Sequence, residues 1–157
     1  MKKLLIIKFL LMTSLFSYGQ EAQEKIKGQW TFSKFQPAGI YGMTYQVAEM
    51  YLGDTLTINN MVNQSMEENE FTKKLGITRD KCQFKPTTVT QIKNIEKYFV
   101  EGYKLKPILI SIDSTKKVFE IVNECKEPLY SLFIFNSSDD ELWVTEGGMF
   151  FLLKRIK

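Results

Sequence analysis

Histidine is absent from this 157-residue chain. That absence removes Ser–His and Cys–His nucleophilic systems and imidazole metal ligands. It also leaves no side chain that titrates near neutrality when unperturbed. Cysteine is scarce: with only Cys82 and Cys125, a structural zinc site has too few ligands. A surplus of one charge is lacking as well. The formal charge of +3 comes from 21 basic and 18 acidic residues, but Lys2, Lys3 and Lys8 all lie in the first nineteen residues, which contain no acid. From residue 20 onward 18 bases balance 18 acids. Such a chain lacks the phosphate-neutralising surplus that nucleic-acid binding needs, and implies no acidic partner. No internal repeat or low-complexity tract occurs.

Only one long apolar run is present, Leu4 to Phe16, broken by Lys8. Preceded by Lys2-Lys3 and followed by the small residues of Ser17-Tyr18-Gly19, it reads as a signal peptide cleaved after Gly19. The run is short for a retained membrane span. No cysteine follows it, which argues against a lipoprotein. The expected organisation is therefore a signal peptide over 1–19 and a single exported domain over 20–157, with no stable membrane anchor after cleavage. In an oxidising compartment Cys82 and Cys125 suggest a disulfide; two buried free thiols are the alternative. The bridge would close a loop of about 44 residues, worth about 4 kcal/mol in the chain-entropy model.

Most of the domain has strand periodicity. Gly28 to Gln36 (GQWTFSKFQ) alternates as a first strand, with Trp30, Phe32 and Lys34 on one side and Thr31, Ser33 and Phe35 on the other. The loop Pro37 to Met43 is unusually apolar and is expected to fold over something. Thr44 to Leu52 reads as a short helix stopped by Gly53. Asp54 to Asn60 is a strand with Leu56 and Ile58 inward. Residues 61–84 are the least legible; Glu67 to Leu75 is a candidate strand, and the acids Glu67, Glu68 and Glu70 read as a solvated face. In Thr88-Val89-Thr90-Gln91 the spacing fits a capping box. It predicts a helix over 88–103, on Ile92, Ile95, Phe99 and Tyr103, with a strand as the alternative.

From Pro107 five strands follow, over 107–113, 117–125, 128–136, 141–146 and 148–155. Their short polar links force antiparallel neighbours. Strands 128–136 and 148–155 are apolar on both sides, so both faces of the sheet are expected to be covered, with the two helices as covers. The fold class is thus mainly β, an antiparallel meander closing into a barrel of about eight strands with one or two short helices.

Gly28-Gln29-Trp30 at the mouth of the first strand resembles the Gly-x-Trp of lipocalins and their calycin relatives, whose tryptophan packs against a basic residue from the last strand. Arg155, after Phe150-Phe151-Leu152-Leu153-Lys154, stands where that partner would stand. The layout is also similar to that of small exported bacterial proteins of unassigned role. The lipocalin resemblance implies a lipocalin-like barrel and a non-enzymatic binding protein, periplasmic or secreted, holding a small apolar or amphipathic ligand. Phe119, Tyr130 and Phe133 would be its lining residues, and no cofactor is implied. The alternative is a protein-interaction module, similar in plan to periplasmic lysozyme inhibitors, such as an inhibitor or immunity protein acting on a lytic enzyme. Its contact surfaces would be the 37–43 and 61–75 loops. For catalysis only carboxylates are available, and Glu120 and Glu124, on one strand face, stand about 13 Å apart. That exceeds the usual separation of a glycosidase pair. Asn63-Gln64-Ser65 and Asn136-Ser137-Ser138 match the glycosylation acceptor pattern, a short pattern that occurs by chance.

Overall fold

Gly28 starts the sheet with a positive φ of 138°, and the chain then runs extended through β1 (Gly28–Pro37). The computed structural model describes residues 20–38, 42–65, 81–106, 112, 115–124, 132–136 and 140–156. Expectations for the signal segment, for 66–80, for Tyr130 and for Cys125 therefore lie outside the described residues, as does nearly all of the 107–113 strand.

A short helix α1 over 20–25 precedes β1. After β1 come α2 (Tyr45–Glu49), β2 (Thr55–Ile58), β3 (Met61–Ser65), β4 (Lys81–Gln83), β5 (Pro86–Gln91) and α3 (Ile95–Tyr103). The chain ends in β6 (Val118–Asn123), β7 (Leu132–Asn136), β8 (Glu141–Glu146) and β9 (Met149–Arg155). All nine strands form one antiparallel sheet in the order β4-β3-β2-β1-β9-β8-β7-β6-β5. It is curled into a half-barrel. The curl follows from side-chain contacts. β1 and β7 have two strands between them, a span of about 14 Å in a flat sheet. Yet the rings of Trp30 and Phe135 meet edge to face with centroids 6.3 Å apart. The face that carries them is concave.

That concave face is filled. Trp30, Phe32, Leu56, Ile58, Phe133 and Phe151 belong to one buried cluster, into which α1 inserts Ala22 and Ile26 and α2 inserts Ala48. A second cluster covers the opposite face, where α3 lays Ile95 and Phe99 on Val118, Ile134, Trp143, Phe150 and Leu152. Both faces of β7, β8 and β9 are therefore dry, which is why these strands carry apolar residues on both sides.

Two local readings of the sequence are corrected. Strict alternation puts Phe35 opposite Trp30, but a bulge at Ser33 shifts the register between Phe32 and Lys34. Ser33 Oγ donates to the Leu152 carbonyl at 2.9 Å. Past the bulge Phe35 rejoins the inner cluster, and the Lys34 ammonium lies 5.9 Å from the Trp143 ring on the outer face. A bulge inserts one residue and so exchanges the faces beyond it. The second correction concerns 88–103. Thr88 is not a helix cap: the β-branched Thr88-Val89-Thr90 pairs with β6 as part of β5. The helix starts later, at Asn94, whose Oδ1 accepts from Lys97 N–H at 2.9 Å. It ends at Lys104, which takes the left-handed conformation with φ 54°. α2 is capped by Thr44, whose side chain accepts from Val47 N–H, and the turn after it closes at Gly53 with φ 90°, the stop the sequence suggests.

β4 and β5, the ends of the strand order, are not paired with each other among the described residues, so the expected closed barrel is described as an open, curled ladder. They are nevertheless consecutive in the chain, separated only by Phe84 and Lys85. Phe84 N–H donates to Asn60 O at 3.0 Å, and Lys85 N–H donates to Asn123 Oδ1 at 2.5 Å. This link is thus tied to the β2–β3 turn on one side and to β6 on the other.

At the β1–β9 seam Trp30 and Arg155 are direct cross-strand partners, and the Arg155 guanidinium carbon lies 4.1 Å from the centre of the Trp30 ring. Arg155 also donates to the Lys27 carbonyl at 2.9 Å and to that of Lys25, and it pairs with Asp140 at 3.2 Å. Trp30 Nε1 donates to Ile26 O at 2.8 Å. A Cβ on Gly28 would come within 2.5 Å of Arg155 Nη1, so this glycine is required both by its φ and by the guanidinium. Gly28→Ala is expected to cost about 1–3 kcal/mol in urea unfolding. Combining it with Arg155→Ala should recover part of that loss, because the clash goes. Simple additivity of the two would show that Gly28 serves only the turn.

Candidate functional site

The two described ends of the apolar loop after β1, Ala38 and Gly42-Met43, are tied to the β8–β9 hairpin. Ala38 N–H donates to Gly148 O at 2.8 Å, and the N–H groups of Gly42 and Met43 both donate to Gly147 O at 2.9 Å. Gly147 has φ 53°, and a Cβ there would approach Met43 Cβ to 2.9 Å. The loop backbone and the hairpin backbone can therefore touch only where a side chain is missing. Beside this contact a cleft of about 270 Å³ opens, bordered by Ala38, Tyr103, Thr145, Glu146, Gly148 and Phe150. Three segments distant in sequence build it: the end of β1, the last turn of α3, and the hairpin.

Aromatic packing forms one wall. Tyr103 and Phe150 meet edge to face with centroids 4.8 Å apart, and Phe99 stacks behind them, 5.7 Å from Phe150. The Tyr103 hydroxyl lies 3.4 Å from that of Tyr98, and Tyr98 donates in turn to Glu120 Oε2. Burial, reinforced by the Glu120 carboxylate, pushes the Tyr98 phenol well above its ordinary value. Burial also raises Tyr103. Both phenols stay neutral at any physiological pH, so this wall offers hydroxyl donors and acceptors and apolar ring surface. It does not offer a base.

No known protein family, curated protein or solved structure matches the chain. The reading of the site therefore rests on geometry.

The residues singled out in the sequence are distributed over other parts of the fold. Trp30 and Arg155 form the seam. Phe119 and Phe133 are on the concave face, 5% and 0% exposed, inside the inner cluster; Phe133 packs on Phe84 with centroids 6.5 Å apart. Neither borders the cleft. Cys82 lies in β4, its sulfur 3.8 Å from Asn123 Nδ2. Glu120 is held by Tyr98, and Glu124 pairs with Lys85 at 2.7 Å, so these two carboxylates have separate partners. Among the described residues there is no group of three or more acids or cysteines placed to hold a metal ion. Tyr103, Gly147 and Gly148 were legible only as a helix position and a turn. The one sequence signal for the cleft was the apolar character of the 37–43 loop.

The inner cluster predicts an alkaline limb in stability. Burial, then the nearby Glu146 and Asp54 carboxylates, push Tyr51 from 10.0 to about 12. The folded state thus favours the neutral phenol. Its contribution is complete below pH 10, where unfolded tyrosine is also protonated, and falls as pH rises from 10 toward 12. Tyr51→Phe should flatten the loss of stability in that window, read by urea midpoints at pH 9 and 11. An unchanged slope would remove Tyr51 as its source.

Proposed function

We propose that this chain is an exported, non-enzymatic binding protein that engages a protein partner through the rim formed by the 37–43 loop, α2 and the β8–β9 hairpin. The observation that carries this reading is the filled concave face. Its aromatic side chains contact one another across the curl, as small barrels packed by their own residues do. An apolar ligand held there would have to displace Phe32, Phe133 or Phe151. The rim instead presents Tyr45 of α2, 54% exposed, and its hairpin side carries a cleft wide enough for one or two partner side chains. This favours the interaction module over the internal ligand carrier. An inhibitor or immunity role toward a lytic enzyme is the form of that module suggested by the similarity in plan to periplasmic lysozyme inhibitors.

A photo-crosslinking residue at Tyr45 should trap a species of defined mass in the native host, whereas one at Ile156, 41% exposed at the far end of β9, should not. Equal yields at both positions would overturn the rim assignment. Saturable binding of a fluorescent fatty acid at micromolar concentration would restore the ligand carrier.

The same reading includes a barrel closed at the Phe84-Lys85 tie between β4 and β5, past which the outer edge of β5 continues, with Cys82 bridged to Cys125. Its support is the buried Asn123, 3% exposed, which reaches Lys85, Gln83 and Cys82 from a position two residues before Cys125. A bridge there would join β6 to β4 across the seam. Thiol labelling of the denatured, unreduced exported protein should find no reactive cysteine. Two labelled thiols would sink the bridge.

A further inference from the structure

β5 is sparsely covered, with none of its residues buried. Thr87, Thr88, Thr90 and Gln91 are all exposed. Neighbouring strand residues point to opposite faces, so solvent reaches both faces of β5, and only Val89 packs on the inner cluster. One edge is also open. Ile92 N–H donates to Val118 O at 2.9 Å. Counting back by twos, Thr90 and Thr88 turn their main-chain groups toward their β6 partners Glu120 and Val122. Val89 and Gln91 turn theirs the other way. β5 is the terminal strand of the order, and among the described residues nothing pairs with that side.

Exposed edges in natural sheets are usually blunted by an inward charge, a mid-strand proline or a cover. Here Thr87 to Gln91 carries no charge, and the one proline and its bulge sit at the strand's start. The charges lie just outside it: Lys81 and Lys85 at one end and Lys93 at the other, all exposed. Glu124, paired with Lys85, offsets one of the three. Glu120 faces Thr90 across the ladder but is engaged by Tyr98.

We propose that the open edge of β5 is a strand-addition site for an extended segment of a partner protein, uncharged and β-branched in its middle and acidic at its ends. Main-chain groups of Val89 and Gln91 would supply the pairing, and the flanking lysines the charge complementarity. A second copy of this chain fits less well. Pairing β5 with itself about Val89 sets Lys85 directly opposite Lys93 of the other copy, and like charges there are destabilising. The site is separate from the rim and does not depend on it.

The test uses the folded exported protein and a capped nonapeptide with glutamate at both ends and alternating threonine and valine between them. Nine residues span the distance from Lys85 to Lys93 in one added strand. Saturation with the peptide should slow hydrogen exchange at the Val89 and Gln91 amides and leave Thr88 and Thr90, already paired, unchanged. Gln91→Pro removes an outward donor without touching the β6 ladder, and should weaken binding about tenfold while leaving the rim crosslinks in place. Lys93→Glu, an exposed change with no folding role, should shift the preference toward a lysine-ended peptide. Absence of protection at millimolar peptide would overturn the proposal, as would indifference to the Lys93 reversal. So would amides already protected in a concentration-dependent dimer, which would show that a second copy holds the edge.

Discussion

The Arg155 guanidinium is the point at which the two ends of the described chain meet. Through it β9 reaches the Trp30 ring and two carbonyls at the end of α1. An arginine suits this position because it offers a flat cation to the indole face and in-plane donors to the carbonyls at the same time; a lysine ammonium cannot do both. The carbonyls after a helix lack intrahelical donors, so the cation also closes α1, whose Ala22 and Ile26 then plug the inner cluster. The Trp30–Arg155 pair thus sets the β1–β9 register and holds a helix over the end of the concave face. Gly28 is the residue that makes room for it.

A second constraint comes from the sheet having no wet face along β7 to β9. The inner face is closed by curling, so that strands three apart touch. The outer face cannot be closed that way and needs a separate cover, which α3 provides. Because α3 ends at Lys104, its last turn brings Tyr103 to the hairpin end of β9, and the cleft is the space left where the cover stops and the 37–43 loop begins. The candidate site is therefore a by-product of how the outer face is covered, and it joins the neutral phenols and ring edges of the cover to Thr145 and Glu146 of the hairpin.

Much of this architecture was legible in the sequence because it depends on patterns that are local or forced by topology. The alternation of 54–60 gave β2, and the double-sided apolar character of 148–155 required a cover on each face. The contact between Trp30 and Arg155 follows from first and last strands of a curled meander running antiparallel. The misreadings have equally local causes. A bulge adds one residue without changing composition, so nothing in Ser33-Lys34 announced that Phe35 would turn inward. Thr-x-x-Gln is as compatible with a two-faced exposed strand as with a capping box, and pairing with β6 decided between them. The cleft was not legible because its walls come from residues 38, 103 and 145–150, which only the folded topology brings together.

The position of β5 shows how these constraints bear on function. A strand at the end of the order gains nothing from covering its outer surface unless the sheet closes beside it. The chain instead spends its short link, Phe84-Lys85, on joining the two ends of the sheet through Asn60 and Asn123. The ends are thereby held close at β4, while β5 runs on beyond the tie with no strand among the described residues on its outer edge. A filled interior makes the body of the domain rigid, and rigid bodies present binding groups at low entropic cost. Among the described residues, the rim and the β5 edge leave ring surface and polar backbone unburied, and both are suited to contacts with another polypeptide.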